Sequence, residues 1–426
     1  MIEMKDSGIS FIGMIPSDWN VTRNKNVFSC TKELVGTASS ETQLLSLTTK
    51  GIKEKDINNP EGKLPESFDT YQFVKKNDMV MCLFDLDVSA VFSGLSPYDG
   101  MISPAYRVLH CKNNIIPKFA DYWFRYISDG RKFNHYAKNI RYTLNYEDFS
   151  TLPIVQAPID RQCRIVDYLD EKCSKIDAII EKQQTVIKKL KAYKVSVITE
   201  AVTKGLNPDV KMKDSGIKWV DSIPSKWENR KMLSILSMRV VDGPHESPEL
   251  FDEGIPYISA TAVVNGKIDF SLMRGYISSE YCDECDKRYK PKQGDILVIK
   301  LGASTGKVAM VETNNRFNIW VPLAAVRCNE EAFPRFVYYA FQSDYFLRQM
   351  ELSWTFGTQQ TLGVKTIEQL RILLPSIPEQ GEISTYLDIK CSAIDNVIAH
   401  KEAIIEKLTS YKKSLIYEVV TGKKEI

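Results

Sequence analysis

Three short stretches carry residues whose types and spacing could support chemistry. Gly302-Ala303-Ser304-Thr305-Gly306-Lys307 has the glycines and the lysine of a nucleotide phosphate loop. That loop requires four residues between its glycines and a Ser or Thr after the lysine. Here three residues intervene and Val308 follows, so ATP binding is not expected. Two readings stay open: a hairpin that brings backbone N–H groups and Lys307 to a nucleic-acid phosphate, or a Gly-rich hairpin with an exposed lysine. Cys282 and Cys285 form a lone C-x-x-C, and no His or Cys follows within the next 40 residues to complete a four-ligand zinc site. Pro208-Asp209-Val210-Lys211 echoes the carboxylate–lysine motif of nucleases but stands without a second acid. No Asn-Pro-Pro-aromatic or Asp-Pro-Pro-aromatic tetrapeptide occurs, which argues against adenine methylation by this chain itself. The sequence reads as a non-enzyme.

Two long repeats frame these stretches. The segment YLDEKCSKIDAIIEKQQTVIKKLKAYKVSVITEAVTKG, starting at Tyr168, recurs about 218 residues later as YLDIKCSAIDNVIAHKEAIIEKLTSYKKSLIYEVVTGK. An internal repeat at long period outranks any single-residue motif. In the first copy Leu169, Ile176, Leu190 and Val197 share one heptad position, and Cys173, Ile180, Ile187 and Ala201 share the other. In the second, Leu387, Ile394, Leu408 and Leu415 pair with Cys391, Ile398, Ile405 and Val419. Spacing of 4 then 3 places both series on one narrow seam, as a coiled coil requires. The polar interruptions coincide as well: Gln183 with Lys401, and Lys194 with Lys412. A helix of some 40 residues is about 60 Å long at ~1.5 Å per residue. So narrow a stripe cannot be buried alone, and the natural partner of each copy is the other.

A second repeated phrase opens each half: MKDSGISFIGMIPSDW from Met4 and MKDSGIKWVDSIPSKW from Met212. Pro and Gly at fixed offsets imply a defined turn, with Trp19 and Trp227 anchoring it. The regions between phrase and helix differ in wording but share a mixed α/β plan. Candidate strands are 43–48, 79–84 and 106–110 in the first, and 256–259, 295–299, 307–311 and 324–327 in the second. Pro-initiated amphipathic helices are predicted over 117–128 and 334–349. The chain thus divides into a phrase at 1–20, a variable domain at 21–157 and a long helix at 158–205. A linker and second phrase follow at 206–228, then a second variable domain at 229–376 and a second helix with tail at 377–426. Nearly duplicated frames around divergent domains imply a symmetric scaffold presenting two readers.

Length and composition fit this plan. A chain of 426 residues exceeds one ordinary core. With 43% hydrophobic and 26% charged residues it reads as a globular protein, without an apolar run long enough to span a membrane. The opening MIEMKDSGIS lacks an apolar signal core, and nine irregularly spaced cysteines fit a reduced, cytoplasmic setting. A net charge of +2 is low for a protein that binds DNA alone, so phosphate neutralisation is expected to be shared with partners.

The paired KDSGI…IPS.W phrases, the two YLD.KCS.ID helices, the Gly294-Asp295-Ile296-Leu297 strand and the Phe356–Gln360 segment together resemble the specificity subunit of type I restriction–modification systems. The resemblance covers essentially the whole chain. It implies an α+β fold with a pseudo-two-fold internal repeat: two mixed α/β target recognition domains joined by two long antiparallel coiled-coil helices. It further implies that each domain reads half of a bipartite site on double-stranded DNA while the helices set the spacing. Such a subunit is non-catalytic. It docks two adenine methyltransferase subunits and, in the full complex, two restriction/translocase subunits, with S-adenosylmethionine, ATP and Mg on those partners. Two departures stand out. The first domain has Asn77-Asp78-Met79-Val80 in place of GDIL. Its nearest equivalent of FGTQQ is Asn139-Ile140-Arg141-Tyr142-Thr143. The competing readings are a coiled-coil adaptor that does not bind DNA and a stand-alone nuclease or ATPase.

On this reading the DNA contacts of the second domain are expected at His245, Ser304, Thr305, Lys307, Trp354, Thr358, Gln359 and Gln360. Gln bonds bidentately to adenine N6 and N7, worth ~1–3 kcal/mol of discrimination. In the first domain they are expected at Lys50, Lys53, Lys138, Asn139, Arg141, Tyr142 and Asn145. Arg141 suits guanine or a phosphate equally. Lys182, Lys188, Lys189 and Lys191 read as a solvated helix face or a meeting point for the methylating subunits.

Overall fold

Short apolar runs build the same four-stranded antiparallel sheet twice. In the first half the strand order across the sheet is Phe28–Ser29, Arg107–Cys111, Met79–Met81, Ser93–Leu95. In the second it is Val241–Asp242, Leu323–Val326, Ile296–Ile299, Val308–Met310. The computed structural model describes residues 3–56, 65–86, 92–136, 142–356 and 359–426. Met79–Met81 and Ile296–Ile299 are buried throughout, as expected for strands covered on both faces. The two enter through one kind of turn. Asn77 and Gly294 both have left-handed φ, 73° and 92°, a region open to Gly and best tolerated otherwise by Asn. The next aspartate accepts a backbone N–H three residues back: Lys75 N to Asp78 Oδ2 at 2.7 Å, and Lys292 N to Asp295 Oδ2 at 2.9 Å. The NDMV and GDIL runs are therefore equivalent turns despite their different wording.

The helix over Pro117–Ser128 has the predicted bounds and buries Phe119, Trp123, Phe124 and Ile127. The second-half helix does not run unbroken over 334–349. It ends at Gln342, and a second helix covers Asp344–Leu352. Ser343 between them is extended (φ −76°, ψ 151°), and its hydroxyl donates to the Ala340 carbonyl at 2.5 Å. A buried serine that bonds backbone locally competes with the helix ladder. The apolar period continues across the break because Tyr345, Phe346 and Met350 still face the core.

Each repeated phrase is a tight hairpin. Met4–Asp6 pairs with Met14–Pro16, and Met212–Ile217 with Val220–Pro224. Asp6 and Asp214 accept the N–H of Gly8 and Gly216 at 3.0 and 2.8 Å. Ser7 and Ser215 accept the N–H of Ile9 and Ile217 at 3.1 and 2.9 Å. Those side-chain bonds explain why Asp-Ser-Gly is repeated: each residue serves one turn. Trp19 and Trp227 are buried, as anchors should be.

The chain forms two compact units, Met1–Gln183 with Glu402–Ile426, and Gln184–Lys401. The long helices, Ile159–Lys204 and Ile377–Val420, contribute a segment of each to both units. In the first unit Leu169, Cys173 and Ile176 are buried against Leu415, Ile416, Val419 and Val420 of the antiparallel partner, with Ile180 and Leu408 half-buried beside them. In the second unit Leu387 and Cys391 share a core with Val197, Ile198, Ala201 and Val202. Ile187, Ile394 and Ile398 are buried there too, and Leu190 is half-buried. Ile405, in the first unit, is half-buried.

The polar interruptions at Lys194 and Lys412 have specific partners. Lys412 Nζ lies 2.6 and 2.7 Å from the Asp177 carboxylate, and Lys194 Nζ lies 2.7 and 2.8 Å from that of Asp395. A one-turn slip would bring either lysine opposite apolar seam residues, so each pair fixes register within its unit.

A buried glutamine ties the start of each helix to the variable domain before it. Gln162 Oε1 accepts the Ile116 N–H at 2.8 Å, and its amide donates to the carbonyls of Asn114 (3.2 Å) and Ala157 (2.7 Å). Gln380 repeats this with the Phe333 N–H (2.7 Å) and the carbonyls of Glu331 (3.1 Å) and Pro375 (2.9 Å). A tyrosine adds a second tie: Tyr122 Oη donates to Asp170 Oδ1 at 2.6 Å, and Tyr339 Oη to Asp388 Oδ1 at 2.5 Å. In sequence the prolines before the helices are offset, Pro158 standing four residues before Gln162 and Pro378 two before Gln380, yet the two glutamines are equivalent.

Candidate nucleic-acid interface

In the second unit the Gly-rich stretch is a hairpin between Ile296–Ile299 and Val308–Met310. Gly306 N–H donates to Ile299 O at 2.8 Å, and the Thr305 hydroxyl donates to Gly302 O at 2.7 Å. Gly302 and Gly306 have φ of 87° and 90°, which turns the chain without a Cβ penalty. The hairpin therefore holds Lys307 exposed and Ser304 partly exposed, while Thr305 is buried and locks the turn.

The Gln-rich segment is stitched alongside. Leu362 N–H donates to Lys300 O at 2.8 Å, Gly302 N–H donates to Gln360 O at 3.0 Å, and Leu301 bridges Thr361. Thr355–Phe356 pairs with Gln360–Thr361 as a two-stranded ribbon. Two stretches separated by some 50 residues thus form one edge carrying Ser304, Lys307, exposed Gln359 and half-exposed Gln360. Trp354, just before the ribbon in sequence, packs against the domain core, and its indole N–H is enclosed without a hydrogen-bond partner.

His245 adjoins through a charged cluster that sequence reasoning missed. Asp242 Oδ2 lies 2.9 Å from Lys300 Nζ and 3.3 Å from His245 Nε2, and Arg288 pairs with Asp242 Oδ1. Burial pushes the Asp242 carboxyl up, but Lys300, Arg288 and His245 outweigh it and hold the group below its ordinary range. No local motif marks Asp242 or Lys300, because 58 residues separate them and only the sheet joins their strands.

The first unit repeats the backbone of this edge with other side chains. Leu144 N–H donates to Leu83 O at 2.8 Å, and Leu86 N–H donates to Tyr142 O at 3.2 Å. Leu83 therefore stands where Lys300 does, and Tyr142 where Gln360 does. That register sets Gln360 against Tyr142, one place before the Thr143 that the sequence correspondence pairs with it. Tyr142 is exposed with left-handed φ of 44°. Lys138, Asn139, Arg141 and, in the second unit, Thr358 lie outside the described residues. Asn145 caps the helix Tyr146–Thr151, accepting the Asp148 N–H at 2.7 Å. Lys50 and Lys53 are exposed on the hairpin formed by Leu45–Thr48 and Gly51–Glu54.

The aspartates of the two equivalent turns also hold basic partners across the sheet. Arg327 grips Asp295 with two bonds of 2.7 Å, and Tyr289 donates to the same carboxylate at 2.7 Å. In the first unit His110 Nδ1 lies 2.6 Å from Asp78 Oδ1. Neither pair was legible from local spacing.

Residues 224–410 match the family described as "Type I restriction modification DNA specificity domain". That match covers less than half of the chain, and it names the same family to which the repeated phrases and helices point. The EcoBI type I restriction enzyme specificity subunit of Escherichia coli is 24% identical over 276 residues, covering 62% of this chain and 57% of that subunit. The match thus spans little more than half of that relative's length. The MjaVIII type I specificity subunit of Methanocaldococcus jannaschii is 22% identical over 364 residues, covering 82% of this chain and 80% of the relative. A chain solved in work on complex assembly and conformational transition of the type I R-M system superposes with a TM-score of 0.66 at 15% identity, covering 96% of this chain and 99% of that one. At that identity the likeness is one of fold. Among the described residues no helix is long and apolar enough to cross a membrane.

Proposed function

We propose that the protein is the DNA sequence-recognition subunit of a type I restriction–modification complex, each recognition domain reading one half of a bipartite site. One observation carries this reading. The two domains share a backbone edge in which Leu362 bonds Lys300 as Leu144 bonds Leu83, with the neighbouring bond offset by one residue (Gly302 against Leu86), yet they carry different side chains at its surface: half-exposed Gln360 in one, exposed Tyr142 in the other. Two copies of one frame with different readout groups suit two half-sites of different sequence. The long helices set the distance between the half-sites and dock adenine methyltransferase subunits and, in the full complex, restriction/translocase subunits, two of each. S-adenosylmethionine, ATP and Mg act on those partners. The compartment is the cytoplasm, a reducing setting that suits nine irregularly spaced cysteines.

Methylome sequencing of a strain carrying the complex tests this, repeated after residues 21–150 are replaced by another recognition domain. One half of a split methylation motif changes and the other stays. A change in both halves sinks the two-reader scheme, and a change in neither favours the adaptor without DNA contact. Removing one heptad from each long helix shortens it by ~10 Å at ~1.5 Å per residue, about three base pairs at ~3.4 Å each. The unread gap then changes while both half-motifs persist; an unaltered gap removes the helices' role as a spacer.

A further inference from the structure

We infer that Asp242 organises a phosphate-binding cluster in the second recognition domain, in which Arg288 and His245 contact the nucleic-acid backbone and a buried Lys300 fixes the carboxylate between them. This rests on the DNA-reading function proposed above. Lys300 is 7% exposed, and an ammonium so enclosed requires a counter-ion. Asp242 supplies it at 2.9 Å, and that single contact would balance the charge. The structure goes further. Arg288, with 52% of its side chain exposed, takes the other carboxylate oxygen, and His245, 70% exposed, lies 3.3 Å from the first. One carboxylate thus holds three basic groups, two of them facing solvent, and the surplus positive charge has no acid to neutralise it within the cluster. Glu246, next in the chain, accepts the Tyr281 hydroxyl at 3.1 Å.

The cluster is also placed for a duplex. Lys300, the buried anchor of the cluster, leads directly into the Gly302–Lys307 hairpin, whose backbone is bonded to Gln360 beside exposed Gln359. Phosphate contacts of this kind fix orientation while neighbouring side chains read bases. In the first domain the position of Lys300 is taken by Leu83, which is buried in the hydrophobic core. That substitution removes the cation on which the carboxylate is anchored, so the cluster belongs to the second domain alone.

The test uses the full chain assembled with its methyltransferase subunits and a random-sequence duplex, with affinity measured by fluorescence anisotropy across a salt series. Arg288→Gln and His245→Gln (at a pH where the imidazole is protonated) each lower the slope of log K against log[salt] by about 0.9, the loss of one phosphate contact. Arg316→Gln is the control, since Arg316 is already paired with Asp283 and Asp286, and it leaves the slope unchanged. Asp242→Asn alone strands Lys300 without a counter-ion and can unfold the domain. The positioning role is therefore read from Asp242→Asn/Lys300→Met, which keeps the two exposed cations but releases them: affinity falls at constant slope. Unchanged slopes in both single variants overturn the phosphate contacts, and wild-type affinity in the double variant overturns the role of Asp242. If the wild-type assembly fails to bind duplex even at 50 mM salt, the DNA-reading function itself falls.

Discussion

Replacing Gln162 by leucine removes three hydrogen bonds from the junction of the first long helix with its recognition domain. The Ala157 carbonyl, bonded at 2.7 Å in a buried setting, loses its partner outright. The Ile116 N–H, at 2.8 Å and half-buried, loses its acceptor. The Asn114 carbonyl keeps the Gln156 amide at 2.6 Å and suffers least. An orphaned buried polar group costs ~1–3 kcal/mol, and one that water can reach costs less, so the sum is about 2–4 kcal/mol. Gln380→Leu carries the same expectation, because Pro375 and Phe333 stand where Ala157 and Ile116 do. The natural assay is hydrogen exchange on the full chain, following peptides from residues 92–136 and 323–356. Gln162→Leu lowers protection in the first set and Gln380→Leu in the second. Glutamate at either position is worse near neutral pH, since a carboxylate would face two carbonyls. Burial without a cation raises its folded pKa above the unfolded ~4.3. The Glu variant is therefore most stable below that value and weakens as pH rises through the folded one. A loss below about 0.5 kcal/mol in both leucine variants, against the ~1 kcal/mol of a single ordinary hydrogen bond, would refute the reasoning by showing that water replaces the amide at no cost.

Three further outcomes follow from the packing. Double-mutant cycles on Lys194/Asp395 and Lys412/Asp177, read by urea unfolding, give couplings of about 0.5–1 kcal/mol per pair that vanish in 1 M salt; partly exposed pairs rarely exceed this. Gly422→Ala lowers the melting temperature more than Gly205→Ala. Both glycines have left-handed φ, but a Cβ at 422 would run into the Pro16 ring, whereas at 205 the nearest atom is the Glu379 side chain, 3.2 Å away. Burial pushes the Cys111 and Cys328 thiols up to about 12, so these groups favour the fold fully below the ordinary thiol range. Denaturation midpoints therefore fall as pH rises from about 9 towards 12, and a flat profile there would contradict the burial of those thiols.

The scaffold was legible in the sequence because its signals are repeated. Two copies of the heptad seam and of the Asp-Ser-Gly hairpin each corroborate the other, and the turn chemistry of each phrase is local. The interface was legible only in part. Gln360 and Lys307 were singled out by residue type, yet their adjacency depends on backbone bonds between Gly302 and Gln360 that no spacing rule contains. Lys300 and Asp242 were passed over because a buried lysine looks, in sequence, like any other. The equivalence of Tyr142 with Gln360 is carried by hydrogen-bond register alone, with no shared side chain. The break at Ser343 escaped because the apolar period runs straight through it.

The division of the chain into units has a consequence for synthesis. The second unit is one continuous stretch, Gln184–Lys401, whereas the first needs Glu402–Ile426 to cover Leu169, Cys173 and Ile176. At ~5–20 residues per second the ribosome supplies that cover about 12–50 s after it has made the strip it protects. Throughout that interval the domain made first is the one left unfinished, with an apolar stripe open to chaperones or to a stray helix.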